Sequence, residues 1–505
     1  MRNRALLAFA LGVALCALPA TAQNLGTAPM AEAGSTDMLT GMILVQFADS
    51  VSPETIAAVA AERGCAVIGE SQISGFHWLQ IPDGASPRAM AEQFAADPDC
   101  EWASPEFVTY SHHGSFPIPP DDPFYSIQTH LQLINVEDGW ADDDSDSDSD
   151  SEGRRATRIG SEDVVVAVLD SGVAFENRPI PPYELVGVVP GAMNYVLAPD
   201  LAETHFVDGF DFANGDPNAN DDRFHGTAVT ATITQDTNNG MRTAGIAPGV
   251  SIMPVKVLFF DGNGTLSTLV DGINFATANG ADVINMSLGF PSFASDPAFD
   301  PFFAGLDAAI QNAYDSGVVL VASTGNDGGG IVSRPALNPN VIAVGASNFD
   351  SATRTFYSQD SIAEAGIGIP PTAGLPGSVE IVAPVGDFSD LDGNTVPDAV
   401  VQEMIVPNDP ENFGTFLLLG TSFSAPQVAA AAALLLSEDD DGDSDSDSDG
   451  DSDARTATDV DALREVLRQT AVDIGAAGAD LVFGAGQLDL AAALDFDDDS
   501  DSDSD

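Results

Sequence analysis

The stretch "VVVAVLDSG" (164–172) decides how the rest of the chain is read. Its apolar, mostly β-branched residues run without polar interruption and stop at Asp170. A run with no alternation suits a strand buried on both faces. Similar runs follow at 251–258 ("SIMPVKVL"), 281–288 ("ADVINMSL"), 318–323 ("VVLVAS") and 341–346 ("VIAVGA"). Amphipathic stretches separate them, among them "TLSTLVDGINFATANG" (265–280) and "FFAGLDAAIQNAYDSG" (302–317). Buried runs alternating with helices predict an α/β domain with a mostly parallel sheet covered on both sides. Functional groups in such sheets gather at the carboxyl ends of the strands. Asp170 stands at one of those ends.

Two further segments carry reactive groups. "FHGTAVTATI" (224–233) puts His225 at the start of a predicted helix, and "GTSFSAPQVAAAAALLL" (420–436) puts Ser422 at the start of another. Alone, an Asp ending a strand or a Ser opening a helix is usually a structural cap. Together they offer a hydroxyl nucleophile, an imidazole base and a carboxylate to orient it. With "AGIAPGVSIMPVKVL" (244–258), "DVINMSLG" (282–289), "TGND" (324–327), "VIAVGAS" (341–347) and "GTSFSAP" (420–426), they resemble the subtilisin-like serine protease family in the order Asp, His, Ser. The resemblance spans about 40–495. It implies a three-layer subtilisin-like fold and a catalytic set of Asp170, His225 and Ser422. It also implies an oxyanion donor in Asn326 and a substrate-binding wall in Ser287, Leu288 and Gly289. The elbow "GxSxG" of ester hydrolases is absent. Ala228 stands where the family often has a second His, and Phe290 stands where a second Gly is common. Extra segments at 175–208, 290–303 and 360–412 are expected to form loops beside the cleft.

Upstream, 42–112 reads as a βαββαβ module. "SPETIAAVAAERG" (52–64) and "SPRAMAEQFAADPD" (86–99) carry Ser caps with Pro in the first turn. The order predicts a small ferredoxin-like α+β sandwich, which the resemblance makes a propeptide that chaperones and inhibits the peptidase until cleavage within 109–122. Cys65 and Cys100 open its second and fourth strands. These lie at opposite edges, ~14 Å apart, whereas a bridge needs Cα atoms within about 7 Å, so no disulfide is expected.

"MRNRALLAFALGVALCALPATAQ" (1–23) has the charged start, apolar centre and small-residue site of a secretory signal cleaved after Ala22, followed by a linker at 23–41. The peptidase domain is expected over 113–495, with acidic insertions at 142–151 and 438–453 and a tail at 496–505. The chain carries 78 Asp and Glu against 16 Lys and Arg, a net charge of −62, and Lys256 is its single lysine. Such a surface repels nucleic acid and anionic lipid. The Asp/Ser tracts have nothing to bury and read as solvated polyanions. Their positions relative to Asp170 and Ser422 predict that both internal tracts leave the domain away from the cleft. No later stretch is long and apolar enough to span a bilayer.

Family members often bind calcium. Asp122, Asn238 and Asn239 match a strong site, and Asp211, Asn214 and Asp216 a weaker one, with the oxygen donors that suit this ion. No zinc motif is present. The expectation is a secreted, monomeric serine endopeptidase made as a zymogen and acting on proteins or peptides. The alternative is an inactive acidic cation-binding surface protein on the same scaffold.

Overall fold

The computed structural model describes residues 16–17, 38–48, 50–70, 77–82, 85–107, 116–141, 155–156, 158–182, 192–327, 332–349, 378–390, 395–438 and 455–496. Of the expected signal segment, only Cys16 and Ala17 fall among them. Both internal Asp/Ser tracts lie outside, apart from Glu438, and so does the tail from 497. The chain divides into two compact units, one within Pro19–Gly114 and the other within Ser115–Asp505, to which Cys16 and Ala17 also belong.

The first unit follows the predicted order: β1 (Met38–Phe47), α1 (Pro53–Glu62), β2 (Ala66–Glu70), β3 (His77–Gln80), α2 (Pro87–Ala95) and β4 (Cys100–Phe107). Ser52 accepts from the Thr55 N–H and Ser86 from the Ala89 N–H, so each helix starts where its serine cap dictates. The sheet order is β2–β3–β1–β4, which places β2 and β4 at opposite edges. Ile43, Val45, Leu79 and Phe94 fill the core under the helices.

The second unit holds a seven-stranded parallel sheet. Its strands are β5 (Val165–Asp170), β6 (Phe210–Asp211), β7 (Ser251–Lys256), β8 (Val283–Met286), β9 (Val319–Ser323), β10 (Ile342–Ser347) and β11 (Ile381–Pro384), ordered β6–β7–β5–β8–β9–β10–β11. After β5 the chain builds one side of the sheet and then crosses to build the other. The carboxyl end of β5 is therefore the switch point where such sheets form their crevice.

Alternation within β5 makes three layers. Val166 and Val168 join the cluster containing Val229, Ile233 and the Ala-rich helix α6 (Ala425–Glu438); α3 is His225–Thr234. Ala167 and Leu169 face the opposite cluster with Leu269, Ile273, Leu306 and Ile310, from α4 (Leu266–Ala278) and α5 (Asp300–Asp315). Both faces of the strand are buried, which is why its sequence shows no polar alternation.

The segment 360–412 differs from the expected loop. Its described part supplies β11 of the central sheet, and β12 (Val400–Val406) pairs antiparallel with β13 (Asp409–Leu418). The segment 290–303 contributes two short 3-10 turns and the start of α5.

The residues flanking the acidic tracts meet at one place. Arg158, just after the first tract, pairs with Glu438 at 2.8 Å and Asp495 at 2.5 Å, which open the second tract and the tail. Arg455, after the second tract, pairs at 2.8 Å with Asp282, just before β8. Asp282 also accepts from the Val165 N–H. These anchors sit at the amino-terminal ends of the strands, opposite the edge that carries Asp170.

Both Cys65 and Cys100 are free thiols, and burial holds the Cys100 thiol up at about 11. Alkylation of the denatured, unreduced precursor is expected to modify both. Protection of the pair until reductant is added would contradict the sheet order.

Candidate active site

Asp170 ends β5 fully buried, and its Oδ1 accepts from the Ser171 N–H at 2.6 Å. His225, the first residue of α3, places Nδ1 at 2.8 and 2.9 Å from the two Asp170 oxygens. Burial pushes the imidazole pKa down, but the charge and hydrogen bonds of Asp170 outweigh it and hold it above the ordinary value. Two glycines permit this approach of helix and strand. A Cβ on Gly226 would lie 2.1 Å from the Gly172 carbonyl oxygen, and one on Gly172, at φ +99°, would lie 2.5 Å from the Asn220 oxygen. Both "DSG" and "HGT" carry glycine because backbone meets backbone there.

Ser422 sits in a 3-10 turn, Thr421–Phe423, and the long helix begins at Ala425. The residue therefore precedes α6 by one turn and does not open it. In this structure its hydroxyl donates to the Ser287 carbonyl at 3.2 Å, while the Ser287 hydroxyl donates to the Ser422 carbonyl at 2.7 Å. Asn285 Nδ2 holds the Ser287 hydroxyl at 3.0 Å. The Phe423 ring lies 5.6 Å from the His225 imidazole, centroid to centroid.

Asn326 accepts through Oδ1 from the Thr421 N–H at 2.9 Å and the Thr421 hydroxyl at 3.0 Å. These donors fix which amide atom is the oxygen, leaving the NH2 group as the one available to a ligand. His225, Ser287, Leu288, Gly289, Asn326 and Ser422 all line one cleft of about 750 Å³. Leu258, Leu269, Phe290, Phe388 and Leu419 give it an apolar wall. Phe290 belongs to that wall and packs edge-on against Phe303 at 4.9 Å.

Beneath the pair lies a group that the sequence did not single out as functional. Lys256 sits beside Asp170 in the register of β7 and β5. It is 1% exposed and donates to the Ser171 carbonyl at 2.5 Å and to Asp222 at 2.7 Å. Burial works against its charge, but Asp222, Asp221 and Asp211 hold its pKa above the ordinary value. Asp221 accepts from the Ser171 hydroxyl, the N–H groups of Arg223, Phe224 and Thr227, and the Thr227 hydroxyl. The Ser171 hydroxyl in turn accepts from the Gly226 N–H at 3.0 Å. One ionic knot thus ties the end of β5 to the turn carrying His225, and it holds Phe224 at φ 154°, a conformation that a non-glycine residue keeps only under constraint.

The metal candidates divide. Asp122 is 4% exposed, its Oδ2 accepts from the Asn238 N–H at 2.8 Å, and its Oδ1 has no hydrogen-bond partner. Asn238 Oδ1 accepts from the Asp121 N–H at 3.1 Å. Burial raises the Asp122 carboxyl to about 6. An orphaned buried carboxylate oxygen in an oxygen-rich loop fits a calcium ligand. Asn239 is engaged elsewhere, donating to Asp200 at 2.7 Å and accepting from the Met241 N–H at 2.7 Å. Asp211, Asn214 and Asp216 adjoin, but Asp211 accepts from the Asn214 backbone and side-chain amides, and Asp216 accepts from those of Asn218. Those oxygens already serve a turn.

Replacing Lys256 by Met leaves Asp222 and Asp221 buried without their cation. It is expected to destabilise the protein by about 3–5 kcal/mol in urea unfolding. A loss under about 1 kcal/mol would contradict the role given to the knot.

Comparison with known proteins places this geometry. The Subtilase family model matches residues 161–486, and a model of the fervidolysin N-terminal prodomain matches 25–106. The chain is 28% identical over 309 residues to a thermophilic serine proteinase of Bacillus sp. (strain AK1), covering 61% of this chain and 64% of that protein. It is 34% identical over 219 residues to subtilisin DY of Bacillus licheniformis, covering 42% of this chain and 73% of that protein. A structure of proteases from Pseudoalteromonas arctica PAMC 21717 superposes with a TM-score of 0.52 at 24% identity, over 74% of this chain and 98% of that one, and so shares the fold. The sheet order, the Asp170–His225 pair and the family match over the greater part of the second unit lead to one conclusion: the chain belongs to the subtilase family, with a fervidolysin-type prodomain ahead of the peptidase-family domain.

Proposed function

We propose that this protein is a secreted serine endopeptidase, made as a zymogen, in which Asp170, His225 and Ser422 form the catalytic triad. The observation that carries the reading is the two-oxygen hold of Asp170 on His225 Nδ1, on a cleft shared with Ser422 and Asn326. That hold leaves Nε2 as the base. Ser422 Oγ turns from the Ser287 carbonyl toward His225 and attacks the substrate carbonyl carbon as Nε2 takes its proton. The Asn326 NH2 group and the Ser422 backbone N–H donate to the oxyanion. His225 then protonates the leaving amine, the C–N bond breaks, and an acyl-enzyme remains on Ser422. Water, deprotonated by His225, hydrolyses that ester and restores the hydroxyl.

The Ser287–Leu288–Gly289 edge receives an extended substrate as an added strand. The prodomain serves as chaperone and inhibitor until the chain cuts itself within 109–122. Calcium fits the first candidate site, where Asp122 and the side-chain oxygen of Asn238 would hold it and the ion would neutralise a buried carboxylate; its role is structural. The mature enzyme is a monomer acting on proteins or peptides, with no affinity for nucleic acid. The inactive-scaffold alternative gives no reason for His225, Asn326 and Ser422 to line one cleft with the Asp170 hold intact.

Three outcomes follow. Wild type expressed alone is expected to shed its prodomain, while Ser422→Ala retains it; equal processing in the absence of any other protease would remove self-maturation. Because His225 must be neutral to accept a proton and its pKa lies above the ordinary 6.5, kcat/KM is expected to fall with acid along a limb centred above 6.5. A limb centred below the ordinary imidazole value would contradict the Asp170 contact. Chelation is expected to lower the Tm of the mature form, and to do so far less in Asp122→Asn; equal Tm values with and without chelator would remove the calcium site.

A further inference from the structure

The cleft holds one cation that makes no ion pair among the described residues. In a chain of net charge −62, every other arginine or lysine side chain that the structure describes has a carboxylate partner. Arg223 has none among the described residues, and it lines the cleft two residues before His225. The other described cationic side chains are paired with carboxylates; this one stands at the site without such a pair.

Its position is built. The Arg223 backbone is pinned at both ends, its N–H donating to Asp221 at 2.9 Å and its carbonyl accepting from the Asn408 N–H at 3.3 Å. The guanidinium donates to the Phe260 carbonyl at 3.3 Å and lies 5.3 Å from the centroid of the Phe224 ring. It also lies flat on Gly262, where a Cβ would come within 2.5 Å of its Cζ. One of its five donors is thus spent on a carbonyl, and the side chain is fixed without a carboxylate in hydrogen-bond contact among the described residues. Asp261 is near enough for the charge of Arg223 to help lower its pKa, but its oxygens accept from the Asn263 N–H and side chain. Asp221 and Asp222 are committed to the buried knot.

Accepting the peptidase reading above, on which this rests, we propose that Arg223 determines specificity. It selects peptides bearing a carboxylate side chain on a residue that passes His225, beside the scissile bond. A planar guanidinium offers a carboxylate paired, charge-assisted hydrogen bonds. The acidic body of the protein opposes acidic ligands at long range, but salt screens that field over about 10 Å at 0.1 M while contact inside the cleft is screened less. The selection therefore acts between side chains at one position and does not attract acidic proteins as a class.

The test measures kcat/KM of the mature protein on matched peptides in which a single Glu, Gln or Lys is walked across the residues flanking the bond. A distal compensating residue keeps the net charge constant. At one position Glu is expected to exceed Lys by about tenfold. The ratio collapses toward one in Arg223→Gln, is largely kept in Arg223→Lys, and reverses in Arg223→Glu; thermal unfolding of each variant checks its fold. The wild-type ratio also shrinks in molar salt. Equal rates for Glu and Lys peptides at every position, or a preference for Glu unchanged in Arg223→Gln and Arg223→Glu, would overturn the proposal while leaving the peptidase reading intact. Failure of wild type to cleave any peptide or react with a fluorophosphonate would overturn that reading, and the proposal with it.

Discussion

The site depends on one buried cation. Lys256 is enclosed where β7 runs beside β5, and it meets the Ser171 carbonyl and the Asp222 carboxylate in the same place. An ammonium group taken out of water is tolerated only with its hydrogen bonds and counter-charges in place. The two segments that must meet for Asp170 to face His225 are the two that satisfy it. Asp221, beside it, collects the amides of the turn, and Ser171 bridges the end of β5 and that turn by accepting from Gly226 and donating to Asp221. The imidazole is thereby oriented from below by fixed backbone, not by side-chain packing alone.

The same protein distributes its excess acid unevenly. Flanks of all three Asp/Ser tracts meet at Arg158 and Asp282, at the amino-terminal ends of the strands. The cleft opens at the carboxyl ends and carries Arg223. The described flanks of the tracts thus lie at the end of the sheet opposite Asp170 and His225. Inside the fold, several carboxyl groups are buried, among them Asp170, Asp200, Asp211, Asp221 and Glu403. Burial raises Asp200 to about 8 and Glu403 to about 7, and Arg242 pairs with Glu403 at 2.9 Å. These groups surround the loop 235–243 that also meets Asp122.

Much of this was legible in the sequence, for physical reasons. Strands buried on both faces must be continuous apolar runs, and β5, β7, β8, β9 and β10 were read as such. Asp170, His225, Ser422 and Asn326 lie in short motifs whose glycines have a backbone reason: close approach at Gly172 and Gly226, positive φ at Gly325 and Gly420. The strand β12 was not seen, because "VVQEMIV" carries Gln402 and Glu403 at its centre. Both are buried there, Gln402 accepting from the Thr243 hydroxyl at 3.1 Å and Glu403 pairing with Arg242. Polar residues partnered from remote segments break the pattern that announces a strand. Lys256 and Arg223 were missed for the same reason: one is engaged by a partner 34 residues away, the other makes no ion pair among the described residues, and neither fact is local. Asn239 was read from its place in a loop, whereas its side chain is engaged by Asp200 and Met241.

The central claim is that the Asp170–His225 pair activates Ser422 in the shared cleft. The most direct measurement is mapping of the fluorophosphonate adduct on the mature protein by peptide mass, in wild type and in His225→Ala. The account predicts a single adduct on Ser422 in wild type, forming faster as pH rises through the His225 transition, and almost none in the folded variant. An adduct at another residue, or labelling of Ser422 that is indifferent to the loss of His225, would contradict it.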